Sequence, residues 1–143
     1  MAIAVGMVGS TCLVLAGPSE EFALRISKRV SASKYATLTA VGDKKTKPKV
    51  VEIRDLDWIK KFSFALRTGK YEPELHVFAV SPDLSFFDND GKQLISFELL
   101  PENTLRVDSD DFEVDETTFV KVRNLLRAKV KRANPGARAN ARG

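Results

Sequence analysis

Asp88-Asn-Asp-Gly91, set between the apolar runs Leu84–Phe87 and Lys92–Leu100, constrains the fold of this chain more than any other feature. Aspartate, asparagine and glycine tolerate positive φ, so such a cluster closes a tight reversal between two strands. An antiparallel hairpin is therefore expected here. Further β-favouring segments are Lys34–Val41, Val50–Ile53, Leu75–Val80 and Thr104–Val107, with Pro101-Glu-Asn103 as another turn. The lysine-rich stretch Gly42–Lys49, GDKKTKPK, reads as a solvated loop or hairpin turn.

Three segments carry helical patterning. In Glu20–Val30 the residues Phe22, Ile26 and Val30 share a helical face, and Ser19 is placed to cap it. Phe22, Leu24 and Ile26 also alternate, so a strand competes there. In Asp55–Thr68 the stripe Trp58, Ile59, Phe62, Ala65 and Leu66 favours helix. Asp55 or Asp57 would be its N-cap, and Gly69 its C-cap. The alternation of Phe62, Phe64 and Leu66 again offers a strand. On either reading Trp58, Phe62 and Phe64 are expected to form core.

The last helix has the fullest set of signals. Asp115 is its N-cap, with Val114 and Phe119 at the staple positions. Phe119, Val122, Leu126 and Val130 form an apolar stripe with Leu125 beside it, and the helix should stop before Pro135-Gly136. The acidic stretch Ser109–Glu116 reads as a connection leading into this helix, packed on the body through Phe112 and Val114. The expected fold class is α+β: a mostly antiparallel sheet with two or three helices, the last one C-terminal and amphipathic. With 143 residues, the chain divides into a single α+β domain over 1–132 and a basic, low-complexity arm over 133–143.

Charge is unevenly placed. Residues 117–143 hold eight basic side chains and no acidic one, while the other 116 residues hold 15 basic and 19 acidic. The basic character therefore belongs to the last helix and the arm, and the body is net acidic. Arg123, Arg127 and Lys131 are spaced four apart and share a face; Lys121, Lys129, Arg132, Arg138 and Arg142 complete the candidate binding set. The arm has no large apolar residue after Val130 and cannot pack a core.

Residues 1–17 are apolar and uncharged, but short and interrupted by glycines for a membrane span. A cleaved leader is the weaker reading, because no Lys or Arg precedes Arg25. One or two buried strands, Ile3–Val8 and Thr11–Ala16, are preferred.

Several chemistries find no support. One histidine, His76, and one cysteine, Cys12, cannot build a multi-ligand His/Cys metal site, and neither stands in a catalytic motif. Placing Gly91 at the glycine position of a calcium loop puts Phe86 and Phe97 where ligands are needed. No phosphate-binding loop, dinucleotide fingerprint or nucleophile elbow is present. The expectation is a non-enzymatic structural or assembly component, such as a virion component. It would self-associate as a homo-oligomer, or bind other protein subunits, through its termini and without a cofactor. Two alternatives accompany it: an accessory nucleic-acid binder using the basic helix and arm, and a secreted or periplasmic domain. A cytoplasmic or virion-associated location is favoured over secretion.

Overall fold

The computed structural model describes residues 18–40, 49–75 and 83–133. The expected N-terminal strands and the leader alternative, residues 42–48 of the expected loop Gly42–Lys49, Cys12, His76 and the arm from Asn134 lie outside them. So does the expected strand beyond Leu75.

The described elements run α1 (Pro18–Ser31), β1 (Tyr35–Ala40), β2 (Lys49–Ile53), α2 (Leu56–Arg67), β3 (Tyr71–Pro73) and β4 (Asp83–Phe87). They continue with β5 (Gln93–Leu100), β6 (Thr104–Val107), β7 (Asp110–Val114) and α3 (Glu116–Ala133). The strands form one seven-stranded sheet in the order β2-β1-β4-β5-β6-β7-β3, with every pair antiparallel. The α+β expectation with a C-terminal helix holds.

The hairpin at Asp88–Gly91 joins β4 and β5. Asp88 Oδ1 accepts from the backbone N–H groups of Asp90 (2.8 Å) and Lys92 (2.9 Å), and Gly91 takes φ 81°. A second tight turn places Glu102 and Asn103 at φ 61° and 57°, a region open to asparagine at modest cost. The register shifts between Phe86 and Phe87, so β5 carries an extra residue, Leu94. The Arg29 guanidinium of α1 donates to the Leu94 carbonyl and lies 3.2 Å from Asp108, which pins α1 to that corner of the sheet.

The period-2 pattern of the strands sorts their side chains. Leu38, Leu84, Phe86, Ile95, Phe97, Leu105 and Val107 point to the helices and are buried. Phe62 of α2 meets Phe86 and Phe97 at ring-centroid distances of 5.3 and 5.6 Å, and Trp58 at 5.2 Å. Helix α2 is the middle helix, packed against α1 on one side and α3 on the other. The strand alternative for both N-terminal helical segments is thereby resolved as helix.

Three local expectations are corrected, and one strand was not expected. Ser19 lies inside α1 rather than before it, and its hydroxyl accepts from Tyr71 N at 2.7 Å, tying β3 to the helix. Gly69 is not a left-handed cap: Thr68 caps α2, and Gly69 is needed because a Cβ there would lie 2.8 Å from both Thr118 Cγ2 and the Tyr71 hydroxyl. The stretch before α3 is a strand, β7, rather than a bare connection, although Phe112 and Val114 do pack on the body as expected. Asp111 is buried there because Arg106 of β6 takes its carboxylate bidentately, at 2.6 and 3.1 Å. The short edge strand β3 went unread; Pro73 is tolerated in it because an edge position need not donate.

Candidate interaction surface

Helix α2 begins at Asp55, whose Oδ1 accepts from the N–H groups of Asp57 and Trp58, each at 3.1 Å. From there the stripe Trp58, Ile59, Phe62, Ala65 and Leu66 turns inward and is buried. At about 100° per residue, Phe64 falls roughly opposite the centre of that stripe. It is 66% exposed, which corrects its expected place in the core beside Trp58 and Phe62.

Phe64 stands as a ridge between two grooves. The first, about 710 Å³, runs between α2 and α3 over Phe64, Ala65, Leu125 and Ala128. Its rim carries Lys60, Lys61 and Lys121, with Asp57 as its acidic member. The second, about 290 Å³, runs between α1 and α2 past Leu24, Ser27 and Ser63, and carries Lys28, Lys60 and Arg67. Ser63 donates to the Ser27 carbonyl at 2.8 Å, which lets the two helices approach closely below this groove.

Among the described side chains, the basic residues singled out from the sequence do not share one surface. Lys121 lines the larger groove. Lys129 is drawn inward: its Nζ lies 2.9 Å from Asp55 Oδ2 and 5.9 Å from the Trp58 ring. Arg123 is half-buried, with its Nε shielded and without a hydrogen-bond partner among the described residues, and Arg127 is exposed. Lys131 and Arg132 lie in the last turn of α3, while Arg138 and Arg142 are outside the described residues.

The acidic stretch is also partly committed. Asp108 bonds Arg29 at 3.2 Å and Asp111 bonds Arg106 at 2.6 Å. Asp115 caps α3, accepting from Thr118 N and Thr118 Oγ1 at 3.1 and 2.9 Å, and also from Lys70 N at 2.7 Å. Partial burial works against the Asp115 carboxylate, but these donors outweigh it and hold its pKa below the ordinary value. Asp55 is held low as well, first by Lys129 and then by the Trp58 N–H.

On the sheet face turned away from the helices, the register lines up Thr39, Asp83, Glu98, Arg106 and Asp111 across five strands. Arg106 bridges Asp111 and Glu98, the latter at 3.4 Å. Desolvation and the neighbouring Glu98 raise the Asp83 pKa. Among the described residues, no group of three or more His, Cys, Asp or Glu is arranged to hold a metal ion. No described helix is long and apolar enough to cross a membrane.

Lys28, Lys60, Lys61, Phe64 and Arg67 were missed from the sequence. The helical wheel of α2 held the signal for Phe64, once the competing strand reading was set aside. Comparison with family models, with curated proteins and with solved structures gave no match to this chain.

Proposed function

We propose that this protein is a non-enzymatic structural or assembly component of a larger complex, and that it meets other subunits through the outer face of its helices. The observation that carries this reading is the exposure of Phe64 on the middle helix. A lone surface apolar residue needs no explanation. Phe64 is not alone: Leu24 of α1 and Leu125 and Ala128 of α3 continue the apolar surface on either side of it. Burying an exposed phenylalanine side chain is worth roughly 1.5–3 kcal/mol, enough to make such a ridge an anchor of an interface.

The nucleic-acid reading draws on Lys121 and Arg127 and on the arm, and it is weakened by the engagement of Lys129 with Asp55. A cytoplasmic or virion-associated setting remains part of the proposal.

Light scattering on the full chain, on F64D and on a form lacking residues 133–143 tests self-association. Quantitative co-purification from the native source, wild type against F64D, tests partner binding. A strict monomer in all three forms, together with the same co-purifying set in both, would sink the reading.

A further inference from the structure

We infer that the groove between α2 and α3 receives an acidic amphipathic helix from another protein; this rests on the assembly reading and names the partner's chemistry. The floor is apolar and shallow. Ala65, Leu125 and Ala128 leave room that no described side chain fills, and Phe64 walls one edge. From Asp57 to Ala65 the α2 wall covers nine residues and rises about 12 Å, which matches about two turns of a docked helix. A helix of that length offers apolar anchors at i, i+3 or i+4, and i+7.

Charge decides what flanks those anchors. This groove carries three cations, Lys60, Lys61 and Lys121, against the single carboxylate of Asp57, and the neighbouring groove beyond Phe64 adds Lys28 and Arg67. That carboxylate already faces Lys61 at 3.7 Å. Lysine stems lie along apolar surface while their ammonium groups stay in water, so a helix seated on the floor meets cations on both flanks. Glutamate or aspartate beside the apolar anchors satisfies them, and basic flanks are repelled.

A second copy of this chain fits less well. Helix α2 bears Lys60, Lys61 and Arg67 against Asp57, and α1 ends in Lys28 and Arg29. Helix α3 has Glu116 as its acidic residue. None of the described helices is acidic, and the acidic stretch is the strand β7. Single-stranded nucleic acid also fits less well, because Phe64 is one stacking platform where successive bases need several.

The test uses the full-length chain and three labelled probes, read by fluorescence anisotropy. The first is a synthetic three-heptad peptide with leucine at helix-spaced positions and glutamate on both flanks. The second replaces each glutamate with lysine, and the third is a mixed-sequence DNA duplex. The acidic peptide is expected to bind at least about tenfold more tightly than the other two, a difference of about 1.4 kcal/mol. F64A, K60E and K121E should each weaken it by about tenfold or more, while K92E, an exposed lysine in the hairpin loop, leaves it unchanged. Thermal melts of each variant establish that the fold persists; Phe64 and both groove lysines are exposed, so it should.

Equal binding of the two peptides overturns the inference. So does indifference to K60E and K121E, or tighter binding of the duplex through the same lysines. If the acidic peptide fails to bind while F64D still loses partners or self-association, the inference falls and the assembly reading stands. If F64D changes no association yet the peptide binds as described, the assembly reading falls and the groove's chemistry stands.

Discussion

Lys129 Nζ, near the end of α3, lies 2.9 Å from Oδ2 of Asp55, the residue that caps α2 through its other carboxylate oxygen. One side chain therefore starts one helix and holds the end of another. Trp58 reinforces the joint, donating its indole N–H to the Leu125 carbonyl at 3.0 Å, with the Lys129 ammonium near its ring. Replacing Asp55 with alanine removes the cap and strands Lys129, and should cost about 1–2 kcal/mol. Asp55→Asn keeps an acceptor for the cap and should cost less. Lys129→Ala should cost under about 1 kcal/mol, since the pair is partly exposed. Urea unfolding of the three variants and of D55A/K129A measures the coupling; strict additivity would mean that the ion pair contributes nothing.

The acidic side chains are expected to respond to pH in opposite senses. Asp55 and Asp115 have folded pKa values below their unfolded ones. Their contribution is therefore complete above the unfolded value of about 3.9 and is lost as pH falls through the folded value. Asp83 has a raised folded pKa, from desolvation and from Glu98, so its charge opposes folding at neutral pH and that penalty lifts as pH falls. Hence D115N should be less stable than wild type at pH 7 and converge with it in acid. D83N should be more stable at pH 7 and likewise converge. Chemical denaturation from neutral to acidic pH reads both, and the same sign for the two variants would contradict this assignment.

The elements that were legible in the sequence are those whose signals are local. The Asp88–Gly91 turn declares itself through residues that accept positive φ, and α3 through a cap, a staple and an apolar stripe. Strand β7 was hidden because acidic residues are poor strand formers, and what makes Asp111 acceptable is Arg106 on the neighbouring strand. The candidate surface was hidden for a different reason. Its cations come from three helices: Lys28 joins Lys60 along one groove, and Lys60 joins Lys121 along the other, only after those helices pack. The density of basic residues after Thr117 points to α3, where Lys129 is engaged within the fold. Gly69 was read as conformational when its role is spatial.

That distinction at Gly69 can be measured. Its backbone is not in the left-handed region, so alanine meets no φ penalty there. The added methyl would instead press on Thr118 and on Tyr71, whose buried hydroxyl donates to the Leu66 carbonyl at 2.7 Å. Gly69→Ala should destabilise by about 1–3 kcal/mol, the usual range for overpacking. The double variant G69A/T118S, which removes the crowding Cγ2, should recover part of that loss. No recovery would place the cause elsewhere.

Phe62 and Phe64 give the sharpest contrast within one helix. Phe62 is fully buried among Trp58, Phe86 and Phe97, whereas Phe64 meets solvent. Phe62→Ala should cost about 3–5 kcal/mol, from lost transfer energy and the cavity left behind. Phe64→Ala should change stability by less than about 0.5 kcal/mol, because an exposed side chain away from caps and networks adds little to the folded monomer. The comparison belongs in dilute solution, where association does not contribute to stability. At higher concentration, if Phe64 anchors a subunit contact, the F64A melting temperature should stop rising with concentration while that of wild type continues to rise. A loss for Phe64→Ala in dilute solution comparable to that of Phe62→Ala would return Phe64 to the core and remove the ridge on which the interface is built.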